Sequence, residues 1–376
     1  MTSMLSIVTG LPPKIDGVGD YALSLARQAR KDNGIETRFI VGDPAWNGPS
    51  RVEGFEVNKL AERSRADLLR VLEDATENGS IVLLHYGGYG YARRGCPSWL
   101  VDGLRQWRSE SKEGFLITMF HELYASGPPW TSAFWLSPLQ RSLAARLARL
   151  SDQYLTSRQR YAEMVCRWSL GKHTTVRSLP VFSSIGEPDS VSPLNERRRR
   201  LVIFGTPGRR VQVYSRSAEQ INRICRRLSV EEILDIGRPV DIDFSRVMHA
   251  PVTVCGELSG DDVSRFLSDA IAGVLDYPEG VLGKSTIFAA YCAHRLIPII
   301  ATYGKEAGAD GLVAGRHYWL SDARPEDLTL ASGQVIADNA CAWYETHSLS
   351  IHAKALAASL SVSGYFGEGK VISARI

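Results

Sequence analysis

Short apolar runs of four or five residues recur along this chain, each followed by a longer amphipathic stretch, and that alternation confines it to parallel sheets covered by helices. In the first half the runs at 5–9, 37–41, 81–84, 115–119 and 153–156 read as strands. Between them, a helix over 20–30 puts Ala22, Leu25, Ala26 and Ala29 on one face, and Leu139, Leu143, Leu147 and Leu150 form a second stripe opposite arginines. The pattern lapses at 183–200, SSIGEPDSVSPLNERRRR, which is polar and carries two prolines. It then restarts, with strands expected at 201–204, 233–236, 252–255, 272–275 and 297–301, helices at 261–268 and 286–294, and two further helices at 336–346 and 351–360. The expectation is an α/β protein of two Rossmann-like parallel-sheet domains, 1–183 and 201–349, with 184–200 as the linker and a C-terminal helix within about 350–376.

Composition narrows the function classes. The 376 residues suit two cores, and 44% hydrophobic with 23% charged residues excludes a disordered or low-complexity chain. A net charge of +3 is too even for a nucleic-acid partner. No apolar stretch is long enough to span a bilayer and no signal-peptide pattern opens the chain, so it reads as cytoplasmic. Arg141, Arg146 and Arg149 could touch an anionic membrane, but a solvated helix face accounts for them, and membrane association is not indicated. The six cysteines are scattered without metal-ligand spacing, so neither a disulfide framework nor a metal site is expected.

Ligands of open α/β sheets sit beyond the carboxyl ends of the strands, and five such places carry chemistry. The loop 10–21, GLPPKIDGVGDY, ends in a helix start marked by Gly17, Gly19 and Asp20, where backbone N–H groups can hold an oxygen-rich ligand or simply form a capped turn. Gly17, Gly19 and Ala22 also match a degenerate dinucleotide fingerprint, with Glu36 or Asp43 as its ribose acid, yet residues 11–16 separate it from the strand that should precede it directly. His85 and Tyr86 open HYGGYG, which offers stacking surface for a sugar ring or base, or a loop without function. His121 beside Glu122 could hydrogen-bond a hydroxyl or act in acid/base chemistry, or be satisfied by a backbone group. The turn at 205–210, GTPGRR, sets Arg209 and Arg210 where they could pair with a diphosphate or lie in solvent. Finally, 272–286, AGVLDYPEGVLGKST, brings Gly283, Lys284 and Ser285 to a helix start; Pro278 stands where a P-loop needs glycine, so phosphate contact without P-loop hydrolysis, or simple capping, is expected.

Four segments carry a resemblance to a known family. IVTGLPPKIDGVGDYALSLA (7–26), ITMFHE (117–122), VIFGT (202–206) and VTVCGELSGDDVSRFLSDA (252–270) resemble, in order and spacing, glycosyltransferase family 4, the glycogen-synthase-like and sucrose-synthase-like group of GT-B architecture. The resemblance implies two domains facing across a cleft, the first for the acceptor and the second for the donor nucleotide, with the C-terminal helix crossing back onto the first. It implies a metal-independent, retaining transfer of a sugar from a nucleotide diphosphate sugar, which is substrate rather than cofactor, to an unidentified acceptor. On that reading Gly17, Gly19, Asp20, Tyr21, His85 and Tyr86 approach acceptor or phosphate, and His121 and Glu122 stand at the chemistry. Arg209 or Arg210 and Lys284 would neutralise the leaving diphosphate, with Gly205, Tyr277, Glu279, Gly283 and Ser285 around the donor.

The sequence departs from the family at two points, one of them Thr206, which stands where the family has an arginine just after the opening glycine of the donor domain, with Arg209 and Arg210 following closely. The family's paired donor-site glutamates, separated by seven residues, are broken: Glu279 would pair with Ile287, and no Asp or Glu occurs from 280 to 305. The missing pair favours a second reading, a non-catalytic GT-B-like protein that binds a sugar or partner. A third is a dinucleotide-dependent oxidoreductase or an epimerase.

Overall fold

A computed structural model of the chain describes residues 2–75, 80–111, 113–301 and 309–361. They divide into two compact units: residues up to Leu179 together with those from Leu349, and Pro180–Ser348.

The first unit is a sheet of β1 (Ser3–Val8), β2 (Glu36–Val41), β3 (Arg51–Val52), β4 (Phe55–Lys59), β5 (Ile81–Tyr86), β6 (Phe115–Phe120) and β7 (Gln153–Thr156). Its order is β3-β4-β2-β1-β5-β6-β7, parallel except for β3 against β4. That hairpin, not expected from the sequence, closes through Glu53 and Gly54, which both take positive φ (49° and 81°), the twist a two-residue turn between antiparallel strands requires. The helices are α1 (Gly17–Asn33), α2 (Arg65–Ala75), α3 (Gly88–Tyr91), α4 (Ser98–Glu110), α5 (Ser132–Leu150) and α6 (Gln159–Trp168). Alternation along the strands feeds two cores: Leu5, Ile7 and Ile40 join Leu72, Leu104 and Leu147, while Val8, Phe39 and Val41 join Ala22, Leu23 and Ala26. Each such apolar side chain taken out of water contributes about 1.5–3 kcal/mol, which is why β5 can be buried along its whole length.

The second unit repeats the scheme with β8 (Arg200–Phe204), β9 (Glu232–Ile236), β10 (Val252–Gly256), β11 (Ala272–Leu275), β12 (Ile297–Ile300) and β13 (Trp319–Leu320), in the order β10-β9-β8-β11-β12-β13 and all parallel. Its helices are α7 (Pro207–Arg227), α8 (Phe244–Val247), α9 (Gly260–Asp269), α10 (Thr286–Ala293) and α11 (Leu330–Glu345). The stretch 184–200, expected as a linker, belongs to this unit. Leu194 is buried in its core, and the Arg197 guanidinium donates to the carbonyl oxygens of Ser192, Ala270 and His294. Polarity and prolines marked an irregular segment here, but not a detached one.

The last helix, α12 (Leu349–Ser361), returns to the first unit and packs along α1, where Ser350 donates to Asp32. Residues 362–376 of the expected C-terminal helix lie outside the described residues. No helix among the described residues is long and apolar enough to cross a membrane.

Candidate functional site

In each sheet the chain reverses its direction of strand addition at the first strand. β1 lies between β2 and β5, and β8 between β9 and β11. Such a reversal splays the connections apart and leaves a crevice beyond the strand ends.

In the second unit the crevice is a cavity of about 220 Å³, and its wall includes Thr206, Arg209, Asp276, Tyr277, Lys284 and Ser285. Two helices begin there. α7 starts after Thr206 with Pro207 in its first turn, and α10 is capped by Ser285, whose Oγ accepts the Phe288 N–H at 3.1 Å. Their unpaired N–H groups and aligned dipoles make both ends attractive to an anion. Gly205, at φ 137°, makes the approach possible, since a Cβ there would lie 2.7 Å from Ile287 Cδ1.

The cationic side chains of this wall have different fates. The Arg209 guanidinium lies 5.2 Å from the Tyr277 ring centre, donates to the Asp276 carbonyl oxygen at 3.4 Å, and stays half in solvent. Arg210 is 1% exposed and committed to the fold. It pairs with the Asp235 carboxylate, which is 0% exposed, and donates to the carbonyl oxygens of Gly205 and Arg238. Its expected role at a diphosphate is corrected accordingly: its charge is already compensated. Tyr214 donates to the second Asp235 oxygen at 2.8 Å. Asp276, which sequence reasoning passed over although it directly follows β11, is buried in the cavity wall with Arg209 at 4.0 Å and Arg216 at 3.9 Å. Burial raises its pKa, and the two arginines oppose that rise. Glu279 and Gly283, like Gly205, lie off the cavity wall. The Glu279 carboxylate accepts from the Tyr318 hydroxyl at 2.6 Å, and Gly283 is packed where a Cβ would come within 2.6 Å of an Asp310 oxygen.

In the first unit the corresponding place is built from α1 and the ends of β5 and β6. Asp16 caps α1 by accepting from the N–H groups of Val18 and Gly19 at 3.0 and 3.1 Å, and Thr9 donates to its other oxygen. Gly19 is needed by close packing, because a Cβ there would fall 2.0 Å from the Gly10 carbonyl oxygen; at Gly17 it would meet nothing within 4 Å. Gly19→Ala is therefore expected to cost on the order of 1–3 kcal/mol in urea unfolding, and Gly17→Ala less than about 0.5 kcal/mol. Beside this turn stand Tyr21, His85, His121 and His352. His85 Nδ1 lies 3.0 Å from His121 Nε2, the Tyr21 ring meets both imidazoles edge-on, and the Tyr21 hydroxyl is 2.8 Å from His352 Nδ1. His352 comes from α12, more than 300 residues away in sequence, and no local signal could have found it.

One expectation changes here. Tyr86 is not an acceptor platform, because β5 turns it into the core at 0% exposure. Glu122, expected beside His121 at the chemistry, is exposed, and His121 has His85 as a ring neighbour. Asp20 has its pKa raised from 3.8 to about 6, first by burial and then by repulsion from Asp16. A carboxyl group with a raised folded-state pKa stabilises the fold below its unfolded value, and that contribution is lost as the pH rises through the folded value. Asp20→Asn should thus melt higher than the parent protein above about pH 6, with the gap closing below about pH 4. Among the described residues, no three His, Cys, Asp or Glu side chains gather to hold a metal ion.

No protein-family model and no curated protein matches this chain. Solved structures do. Over all of both chains it superposes on α,α-trehalose 6-phosphate synthase from Burkholderia multivorans (TM-score 0.57, 13% identity). It also superposes on Anabaena HepE in complex with UDP-glucose (TM-score 0.58, 11% identity, 96% of this chain and 100% of that one). The fold is GT-B. The lipopolysaccharide outer core galactosyltransferase WaaB shares it, at TM-score 0.53 and 12% identity over 96% of this chain and 99% of that one. The start of α1 lies at the β1 reversal of the first sheet, and the cavity of the second unit at the β8 reversal of the second.

Proposed function

We propose that this protein is a glycosyltransferase that binds a nucleotide diphosphate sugar in the cavity of the second unit and passes the sugar to an acceptor not yet identified. The observation that carries the reading is the convergence of two helix N-termini with Arg209 and Lys284 on one cavity wall at the end of β8 and β11. That is an arrangement for a pyrophosphate: backbone donors and dipoles face the bridging and terminal oxygens, and side-chain cations offset the charge that grows on the leaving group. With those cations in place the proposal needs no divalent ion. Retention of anomeric configuration, as in the family the sequence resembles, is part of the same proposal. Tyr277 supplies an aromatic face, and Asp276 a carboxylate, close to the phosphate-binding wall. HepE in its UDP-glucose complex and the trehalose 6-phosphate synthase share the fold and add support to a nucleotide-sugar donor.

The second reading, a binder without turnover, is favoured by the absence of any Asp or Glu from 280 to 305, where the family has its ribose carboxylate. One experiment separates the two. The protein is incubated with a panel of nucleotide sugars, and free nucleoside diphosphate is measured over time. Slow release, by transfer to water in place of the acceptor, supports the transferase; a nucleotide sugar that binds and stays intact, even when candidate sugar acceptors are added, supports the binder.

A further inference from the structure

His85 is held where water does not reach. It is 0% exposed at the end of β5, and its Nε2 has no hydrogen-bond partner among the described residues. Its Nδ1 faces His121 Nε2 at 3.0 Å with the rings nearly parallel, 19° apart. Burial pushes the His85 pKa down to about 3, so the ring is neutral and carries one proton. That proton has two seats. On Nε2 it would be an orphaned buried donor, whereas on Nδ1 it is donated to His121 and leaves only an unused acceptor lone pair inside. Orphaned buried N–H groups are the rarer and costlier of the two.

We infer that His85 donates from Nδ1 to His121 Nε2 and thereby fixes His121 as the neutral tautomer with its proton on Nδ1. His85 is then a positioning residue. His121 can take a second proton only on Nε2, which would set two N–H groups against each other until His85 moved its own proton to Nε2, where nothing accepts it. Of the groups packed on the pair, Tyr21, from α1, turns its hydroxyl to His352 of α12, and the first turn of α1 carries the carboxyl groups of Asp16 and Asp20. His121 then carries its proton on Nδ1 as an uncharged N–H donor, the form in which an imidazole polarises an oxygen without acting as a base. That a ligand reaches His121 rests on the proposed function; the proton's position does not.

The test is a long-range ¹H–¹⁵N correlation spectrum of the full chain with ¹⁵N-labelled histidine rings at neutral pH, with the His121 signals identified by their loss in His121→Gln. The expected pattern is a protonated Nδ1 and a bare Nε2 on His121, kept in His85→Gln, whose amide can still donate, and collapsed to averaged tautomers in His85→Leu. His121 protonated on Nε2, or tautomer-averaged in the unsubstituted protein, overturns the inference, as does an unchanged pattern in His85→Leu. Should His85→Leu not fold, the spectrum of the unsubstituted protein still decides. Failure to bind any nucleotide would sink the functional reading and leave this result standing.

Discussion

Arg210→Met is expected to lower the unfolding free energy of the second unit by about 3–5 kcal/mol, read as a shift of the urea midpoint at constant slope. The cost comes less from the lost attraction than from what stays behind: an Asp235 carboxylate at 0% exposure, with Tyr214 as its remaining partner. Removing the acid as well, in Arg210→Met/Asp235→Leu, should recover much of the loss, because a buried pair replaced by apolar side chains is often close to neutral. A single variant that unfolds like the parent protein would show that Arg210 is not the compensated buried charge described above.

Its neighbour is expected to behave in the opposite way. Arg209→Ala should leave the unfolding free energy within about 0.5 kcal/mol of the parent, since its guanidinium is half exposed, yet weaken nucleoside diphosphate binding about ten- to hundredfold. Lys284→Ala should do the same. Each removes a charge-assisted hydrogen bond to phosphate, worth about 1.5–3 kcal/mol, and calorimetric titration reads the loss directly. Binding that survives both substitutions unchanged would place the phosphates elsewhere.

These adjacent arginines show how far the sequence could be read. The central strands and their flanking helices were legible because buried parallel strands are short continuous apolar runs and covering helices repeat every three or four residues. The rule that ligands sit beyond strand ends then pointed to the GTPGRR turn and the helix start at Lys284 and Ser285, which line one cavity. What could not be read was which cation the fold consumes. The partner of Arg210 is Asp235, on a different strand, and nothing local to either residue marks the pair. Tyr86 was misplaced for a related reason. The period-two pattern cannot say which face of β5 is covered by α2, α4 and α5, and that covering sends Tyr86 into the core. The strand β3 is too short, at two residues, to show a period of its own, and the contribution of His352 is a product of tertiary pairing, invisible at the scale of a sequence window.

The most direct measurement of the central claim is an isothermal titration of the parent protein, Arg209→Ala and Lys284→Ala with nucleoside diphosphates and their sugars, without added divalent metal. The account expects at least one nucleoside diphosphate to bind the parent with a Kd between about 1 μM and 1 mM, the range in which enzymes meet their substrates, and each substitution to weaken it. No binding by any of them up to millimolar concentration, or binding that appears only with a divalent ion, would contradict it.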